Sequence, residues 1–316
     1  MSLIDLVPLS IDASRFPCSL FAGHPFRLGG PGLSICRSVK AEAEACVQAY
    51  VRAAGCGTEG VFLRLDLFIA PERDRVAILE VNGRLVDGWG TAFQLAFAGG
   101  QPRDEVVAAA GAGMFPRCWR LSRHNRAYKN DFAFTLRTLC ELGVSVEEQV
   151  DDAKREDGSS VYFYGWDRPQ EDRSLVPAHA FQIERKEHLA RFSRDWHGRS
   201  VTVPLGYHRT CAAWDEIPRD RVIFKFCEKG SDDSLRAGTS VVYPSESGRG
   251  RFARQCYERG TVMAQQMVPT IEIGGKMCQL VLLTSASRVL AGYVLWAPCG
   301  TRVITDAYEH APLIWV

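Results

Sequence analysis

The segment RLDLFIAPERDRVAILEVN concentrates the acidic chemistry of the chain. A hairpin turning at Arg73 sets Asp66 opposite Glu80 and Arg64 opposite Asn82. Directly opposed Cβ atoms lie roughly 4.5–5.5 Å apart, and two carboxylates in that relation repel unless something cationic sits between them. Asp66, Glu80 and Asn82 offer only oxygen ligands, which suits Mg²⁺ shared with substrate phosphates better than a soft metal. A solvated polar face on a half-buried hairpin is the alternative. Farther on, RVIFKF puts Lys225 inside an apolar strand, followed by a loop with Gly230, Gly238 and several hydroxyls. Backbone amides of such a loop can close over phosphates, although the pattern is not GxxxxGK[ST]. A lysine there can also simply snorkel. Lys186 lies upstream in a charged segment and, taken alone, reads as a surface residue. In VMAQQMVPTIEIGGK a strand carrying Gln265 runs through Met267 and Val268 to Pro269, with Glu272 beyond. Its backbone could meet an adenine edge and Glu272 a ribose, or the segment is an ordinary strand and turn.

These residues need elements to hold them. Ile35, Val39, Cys46, Val47, Tyr50, Val51 and Ala54 recur at helical spacing and end at Gly55 and Gly57, predicting an amphipathic helix. In VFLRLDLFIA, Leu63, Leu65, Leu67 and Ile69 share one strand face while Arg64 and Asp66 share the other. Residues 83–120 give only a weak helix signal near Asp104–Ala110. A helix starting at Asn130 or Asp131 and stopped by Gly143 is expected, with strands at 143–146 and 160–164. A charged helix follows over 185–195. RVIFKF, TSVVY, VMAQQMV, QLVLLTS, RVLAGYVLW and TRVIT read as strands, with one helix near 249–259.

The chain has 316 residues, 46% hydrophobic and 24% charged, with a net charge of +1. That composition excludes a disordered chain, and the length suggests two or three lobes. The basic excess of a dedicated nucleic-acid binder is missing. The 11 cysteines form no CxxC pair, which fits neither a disulfide framework nor a zinc site and points to the reducing cytoplasm. The seven histidines show no ligand spacing. The opening residues, with Asp5 and Asp12, do not read as a signal peptide. The longest uncharged runs, such as 289–301, fall short of the roughly 20 residues that span a bilayer.

Together, the Arg64, Asp66, Glu80 and Asn82 hairpin, Lys186, Lys225, the glycine-rich loop and the Gln265 to Glu272 hinge resemble the ATP-grasp ligases. The hairpin precedes the lysines, an order similar to the circularly permuted branch that includes eukaryotic glutathione synthetase and glutathionylspermidine synthetase. The resemblance implies an α+β ATP-grasp fold, antiparallel sheets with flanking helices. It places the metal-hairpin half of the core at 1–118, a small pre-ATP-grasp α/β lobe at 119–183 and the nucleotide-binding half at 184–316. It also implies roles. Asp66, Glu80 and Asn82 would hold Mg²⁺. Arg64 would contact the acyl phosphate or the developing oxyanion; Arg302 and Arg288, on late strands, are candidates for phosphate or carboxylate contact or else sheet-surface charges. Lys186, Lys225 and the loop at Gly238 would hold ATP phosphates, Gln265, Met267 and Val268 would meet adenine, and Glu272 the ribose. Gln265 departs from the acidic residue common at its position. The implied activity is ATP- and Mg²⁺-dependent joining of a small carboxylate (an amino acid or peptide) to an amine through an acyl phosphate. A phosphotransferase or a nucleotide- or partner-binding protein without turnover stays open. The resemblance is compatible with a homodimer, and neither nucleic acid nor a membrane is expected as a partner.

Overall fold

The hairpin strands Phe62–Ile69 and Val76–Asn82 lie inside a ten-stranded mixed sheet rather than at its rim. The computed structural model describes residues 3–8, 10–149, 159–167, 174–227, 241–242, 249–301 and 303–316. Along the large sheet the strands run Ile4–Val7, Gly32–Ile35, Glu309–Trp315, Val289–Pro298, Lys276–Ser285, the two hairpin strands and Val201–Thr202. Two short strands, Glu272–Ile273 and Arg27–Leu28, join it off this path. Lys276–Ser285 pairs antiparallel with the first hairpin strand, Val281 opposite Asp66 and Leu283 opposite Arg64. The acidic hairpin is therefore bolted to strands from the far end of the chain.

The pattern of burial explains the layering. Leu63, Leu65, Leu67 and Ile69 pack with Val39, Cys46, Val47 and Val51 of the helix Arg37–Ala53 in one core cluster. That helix ends where Gly55 takes a positive φ of 69°, a conformation glycine adopts without Cβ strain. The opposite sheet face packs on the helix Trp89–Ala98, against which the helix Lys129–Glu141 packs in turn.

Two smaller sheets flank the large one. Gly206–Tyr207, Val262–Gln266, Val222–Phe226 and Val241–Val242 form an antiparallel sheet, and the helix Arg249–Arg259 packs beside its second strand. Glu147–Glu148, Cys118–Leu121, Val161–Tyr164 and Leu175–Val176 form a parallel one.

Several local expectations change. Trp89–Ala98 is a helix with no periodic signature, because residues on every side of it are buried and the sequence shows no polar stripe. The strand expected at 143–146 forms instead at Glu147–Glu148. The described residues of TRVIT are irregular, and the late strand is Glu309–Trp315. Pro312 within that strand masks its signal. All eleven cysteines are free. Among the described residues no helix is long and apolar enough to cross a membrane.

Candidate active site

A regular hairpin cannot present these side chains together. Strict alternation puts Val76, Ile78, Glu80 and Asn82 on one face of the second strand. Val76 and Ile78 are core residues, so Glu80 and Asn82 would enter the core with them. A register shift between Asp66 and Leu67 resolves the conflict: Leu67 pairs with Ile78, Asp66 with Glu80, and Leu79 is left over. This one-residue bulge exchanges the faces. Glu80 and Asn82 thereby join Arg64 and Asp66, while Val81 returns to the core. The carbonyl oxygen of Leu79 accepts a hydrogen bond from Lys225 Nζ at 3.0 Å, so the bulge also docks the smaller antiparallel sheet.

A cavity of about 740 Å³ opens between these sheets. Arg64, Asp66, Glu80, Asn82, Lys186, Lys225, Gln265, Met267, Val268 and Glu272 all line it. Gly238 and Arg302 lie outside the described residues. Arg288 is not among the lining side chains.

The lysines reach the cavity by different routes. Lys186 opens the helix Lys186–Asp195, is 5% exposed, and donates from Nζ to Glu80 Oε1 at 2.7 Å. Two residues earlier, Glu184 accepts from the backbone N–H groups of Gly83 and Arg84 at 3.0 and 2.8 Å and from Arg84 Nε at 3.1 Å. That clasp fixes the exit of the hairpin against the start of the lysine helix. Lys225 shares a strand face with Ile223, and the opposed residues Met263 and Gln265 share it too.

Arg64 is held by three carboxylates. Its Nε donates to Asp66 Oδ1 at 3.2 Å, and Nη1 donates to Asp87 Oδ1 and Asp306 Oδ2, both at 2.9 Å. Asp66 also accepts from Asn82 Nδ2 at 3.0 Å and Gln279 Nε2 at 3.1 Å. Asp87, Gln279 and Asp306 also line the cavity, and sequence reading misses all three. Each is a single polar residue in a glycine-rich, apolar or irregular stretch, with no neighbour to mark it. Their common feature is contact with Arg64 or Asp66, which sequence order does not display.

One guanidinium facing three carboxylates leaves excess negative charge. Burial and then Asp306 push the Asp87 carboxyl up to about 6, with Arg64 opposing. Burial also raises Asp306, but Arg64 and then His310 outweigh it and hold that carboxyl below the usual range. Behind them Asp131 is wholly buried; burial and Asp87 push it up to about 7. Asp131 Oδ2 accepts from the Tyr164 hydroxyl and, at 3.2 Å, from Gly88 N.

A pH dependence follows. A carboxyl raised in the fold binds its proton more tightly than in the unfolded chain, so its contribution is complete below about pH 4 and is lost as pH rises through about 7. Asp131→Asn removes the ionisation while keeping the side-chain shape. The variant is expected to exceed the wild type in stability at pH 8, by on the order of 4 kcal/mol, with the gain shrinking below pH 7 and gone below about pH 4. Denaturant midpoints across pH 3.5–8.5 check this; parallel profiles for the two proteins would refute it.

The donor set suits a divalent cation. Asn82 Oδ1 is buried, lines the cavity and has no hydrogen-bond partner among the described residues. With Asp66 and Glu80 it makes an all-oxygen set, so the residues fit a hard cation. Among the described residues no three His, Cys, Asp or Glu side chains gather as a metal cluster; the set is two carboxylates and an amide. Glu80 is meanwhile paired with Lys186.

No family model matches the chain, and no curated protein matches it. Among solved structures, a glutathione synthetase-like effector from Globodera pallida aligns with a TM-score of 0.52, over 89% of this chain and 86% of its own, at 9% identity. A protein from Methylobacillus flagellatus KT, provisionally named a gamma-glutamylcysteine synthetase, aligns with a TM-score of 0.44, over 87% and 84%, at 12% identity. The second likeness is too distant to carry an argument. The first shows a shared fold alone: the mixed α and β architecture is that of a glutathione synthetase-like protein.

Proposed function

We propose that the chain is an ATP- and Mg²⁺-dependent carboxylate–amine ligase on a circularly permuted ATP-grasp scaffold. One observation carries the reading: Asp66, Glu80 and Asn82, far upstream, line the same cavity as Lys186, Lys225 and the Gln265 to Glu272 hinge. The fold likeness supports it. In this reading the three segments 1–118, 119–183 and 184–316 are the metal-hairpin half, the pre-ATP-grasp lobe and the nucleotide half.

Phosphoryl transfer asks for positioning and charge neutralisation rather than acid–base groups. Lys186 and Lys225 would hold the phosphates, Glu272 the ribose hydroxyls, and the backbone of Met267 and Val268 the base. A magnesium ion held by Asp66, Glu80 and Asn82 would neutralise charge on the β and γ phosphates. Before that, Lys186 compensates Glu80, so phosphate arriving at Lys186 frees the carboxylate. Arg64 bonds Asp66, Asp87 and Asp306; we assign it to orienting Asp66, which leaves the acyl-phosphate contact to Arg302. Asp87 and Asp306 line the cavity with Tyr128 and Trp166, a setting that favours a cationic amine.

The engagement of Arg64 by three carboxylates favours a second reading, a nucleotide-binding protein without turnover. One experiment separates the readings. The protein is incubated with Mg-ATP, a panel of amino acids and short peptides, and a panel of amines, with phosphate release followed and products weighed by mass spectrometry. A ligase gives amine-dependent phosphate release and a condensed product. A phosphorylated product without amine dependence identifies a phosphotransferase. Nucleotide binding with no product identifies the binding protein.

A further inference from the structure

Joining an amine to an activated carboxyl requires a proton to leave first. An alkylamine, like a lysine side chain, is an ammonium near neutral pH and has no lone pair to attack with. Removing that proton in place calls for a base in the cavity whose proton affinity lies near the working pH. Among the described residues the carboxylates lining the cavity are Asp66, Glu80, Asp87, Glu272 and Asp306, and their partners tell them apart. Asp66 accepts at both oxygens, Oδ1 from Arg64 and Gln279 and Oδ2 from Asn82. Asp306 also accepts at both, Oδ1 from Tyr293 and Oδ2 from Arg64. Glu80 is paired with Lys186, and Glu272 is exposed to solvent.

Asp87 differs from all four. It is 5% exposed, and its Oδ1 accepts from Arg64 Nη1 at 2.9 Å, while Oδ2 accepts from no other residue among the described ones. The carboxyl is anchored by one oxygen and presents the other. It shares a single guanidinium with two further carboxylates, so a proton gained there relieves excess negative charge. Burial and then Asp306 raise it to about 6, with Arg64 opposing. The other groups that face it are Tyr128, Tyr293, Tyr164 and Asp131. Burial pushes all three tyrosine hydroxyls up, so they keep their protons and offer no rival base.

We propose that Asp87 is the general base of the ligation step, taking a proton from the ammonium group of the incoming amine. The inference rests on the ligase reading above. One N–H bond breaks and its proton passes to Asp87. The freed lone pair attacks the acyl carbon, a C–N bond forms, and the C–O bond to phosphate breaks with its electron pair leaving on phosphate. A second proton passes from nitrogen to the departing phosphate, and Asp87 returns its own to water.

The test supplies the full chain with Mg-ATP, the panel of amino acids and short peptides, and one of two nucleophiles: methylamine, an ammonium near neutral pH, or hydroxylamine, a weaker base that arrives neutral. Asp87→Asn keeps an acceptor for Arg64 and removes the base. Methylamide formation is expected to fall about 10²–10⁴-fold in the variant, while hydroxamate formation stays close to the wild-type rate. The wild-type methylamine rate is expected to level off as pH passes about 6, whereas the variant's keeps climbing as free methylamine accumulates. If asparagine fails to fold, Asp87→Ala repeats the comparison, and formate entering the gap is expected to restore the methylamine reaction. Equal losses with both nucleophiles, an undiminished methylamine rate, or no rescue by formate overturn the inference and leave the ligase reading standing. If the wild type yields neither product from any carboxylate of the panel, the ligase reading falls and the general base falls with it.

Discussion

Arg64→Leu is expected to destabilise the protein by about 3–5 kcal/mol at neutral pH, the loss typical of removing one partner from a buried ionic group. Arg64 is 7% exposed, and its guanidinium bonds three carboxylates, Asp66, Asp87 and Asp306. Without it those acids face one another in a low-dielectric pocket, with Tyr293 donating to Asp306 at 2.7 Å as partial relief. The loss should shrink as pH falls. Asp87 already titrates near 6, and removing Arg64 raises it and Asp306 further, so mild acid neutralises the stranded charges. Arg64→Lys keeps the charge but not the fork, and an intermediate loss is expected. Chemical denaturation of the three proteins at pH 5 and 7.5 measures this. A leucine variant as stable as wild type at pH 7.5 would show that the network contributes nothing net.

Glu80→Gln is expected to cut amine-dependent phosphate release by about 10²–10³-fold, the scale of losing one preorganised charge-stabilising group. Stability should change little, since the amide oxygen can still accept from Lys186, which now donates to Glu80 Oε1. ATP binding in EDTA should persist, because both lysines remain. Asp66→Asn is the less clean probe. Asp66 accepts from Arg64, Asn82 and Gln279, and an amide there would turn a donor toward one of them. Steady-state assays across Mg²⁺ concentration, with melting curves as control, give the readout. Wild-type turnover in Glu80→Gln would remove Glu80 from the site.

Most of the hairpin was legible in the sequence, because strand periodicity is local. Alternating Leu63, Leu65, Leu67 and Ile69 fix one face, and the turn near Arg73 sets Asp66 against Glu80. The bulge at Leu79 was not, although a trace of it lies in the parity break between Ile78 and Val81. The helix Trp89–Ala98 was hidden for the opposite reason: burial on all sides erases the polar stripe that marks a helix.

Residue types and their spacing are written in the chain: two carboxylates and an amide on one hairpin, a lysine in an apolar strand, a glutamine before a proline-bounded hinge. These follow from contacts within one element, where chain geometry alone sets neighbours. It takes the packed fold to bring Lys186 to Glu80, to make Asp87 and Asp306 share Arg64, and to bury Gln265 with its amide unpartnered among the described residues. Such contacts join residues far apart in the chain. They depend on how three sheets pack, and no periodicity along the sequence encodes that.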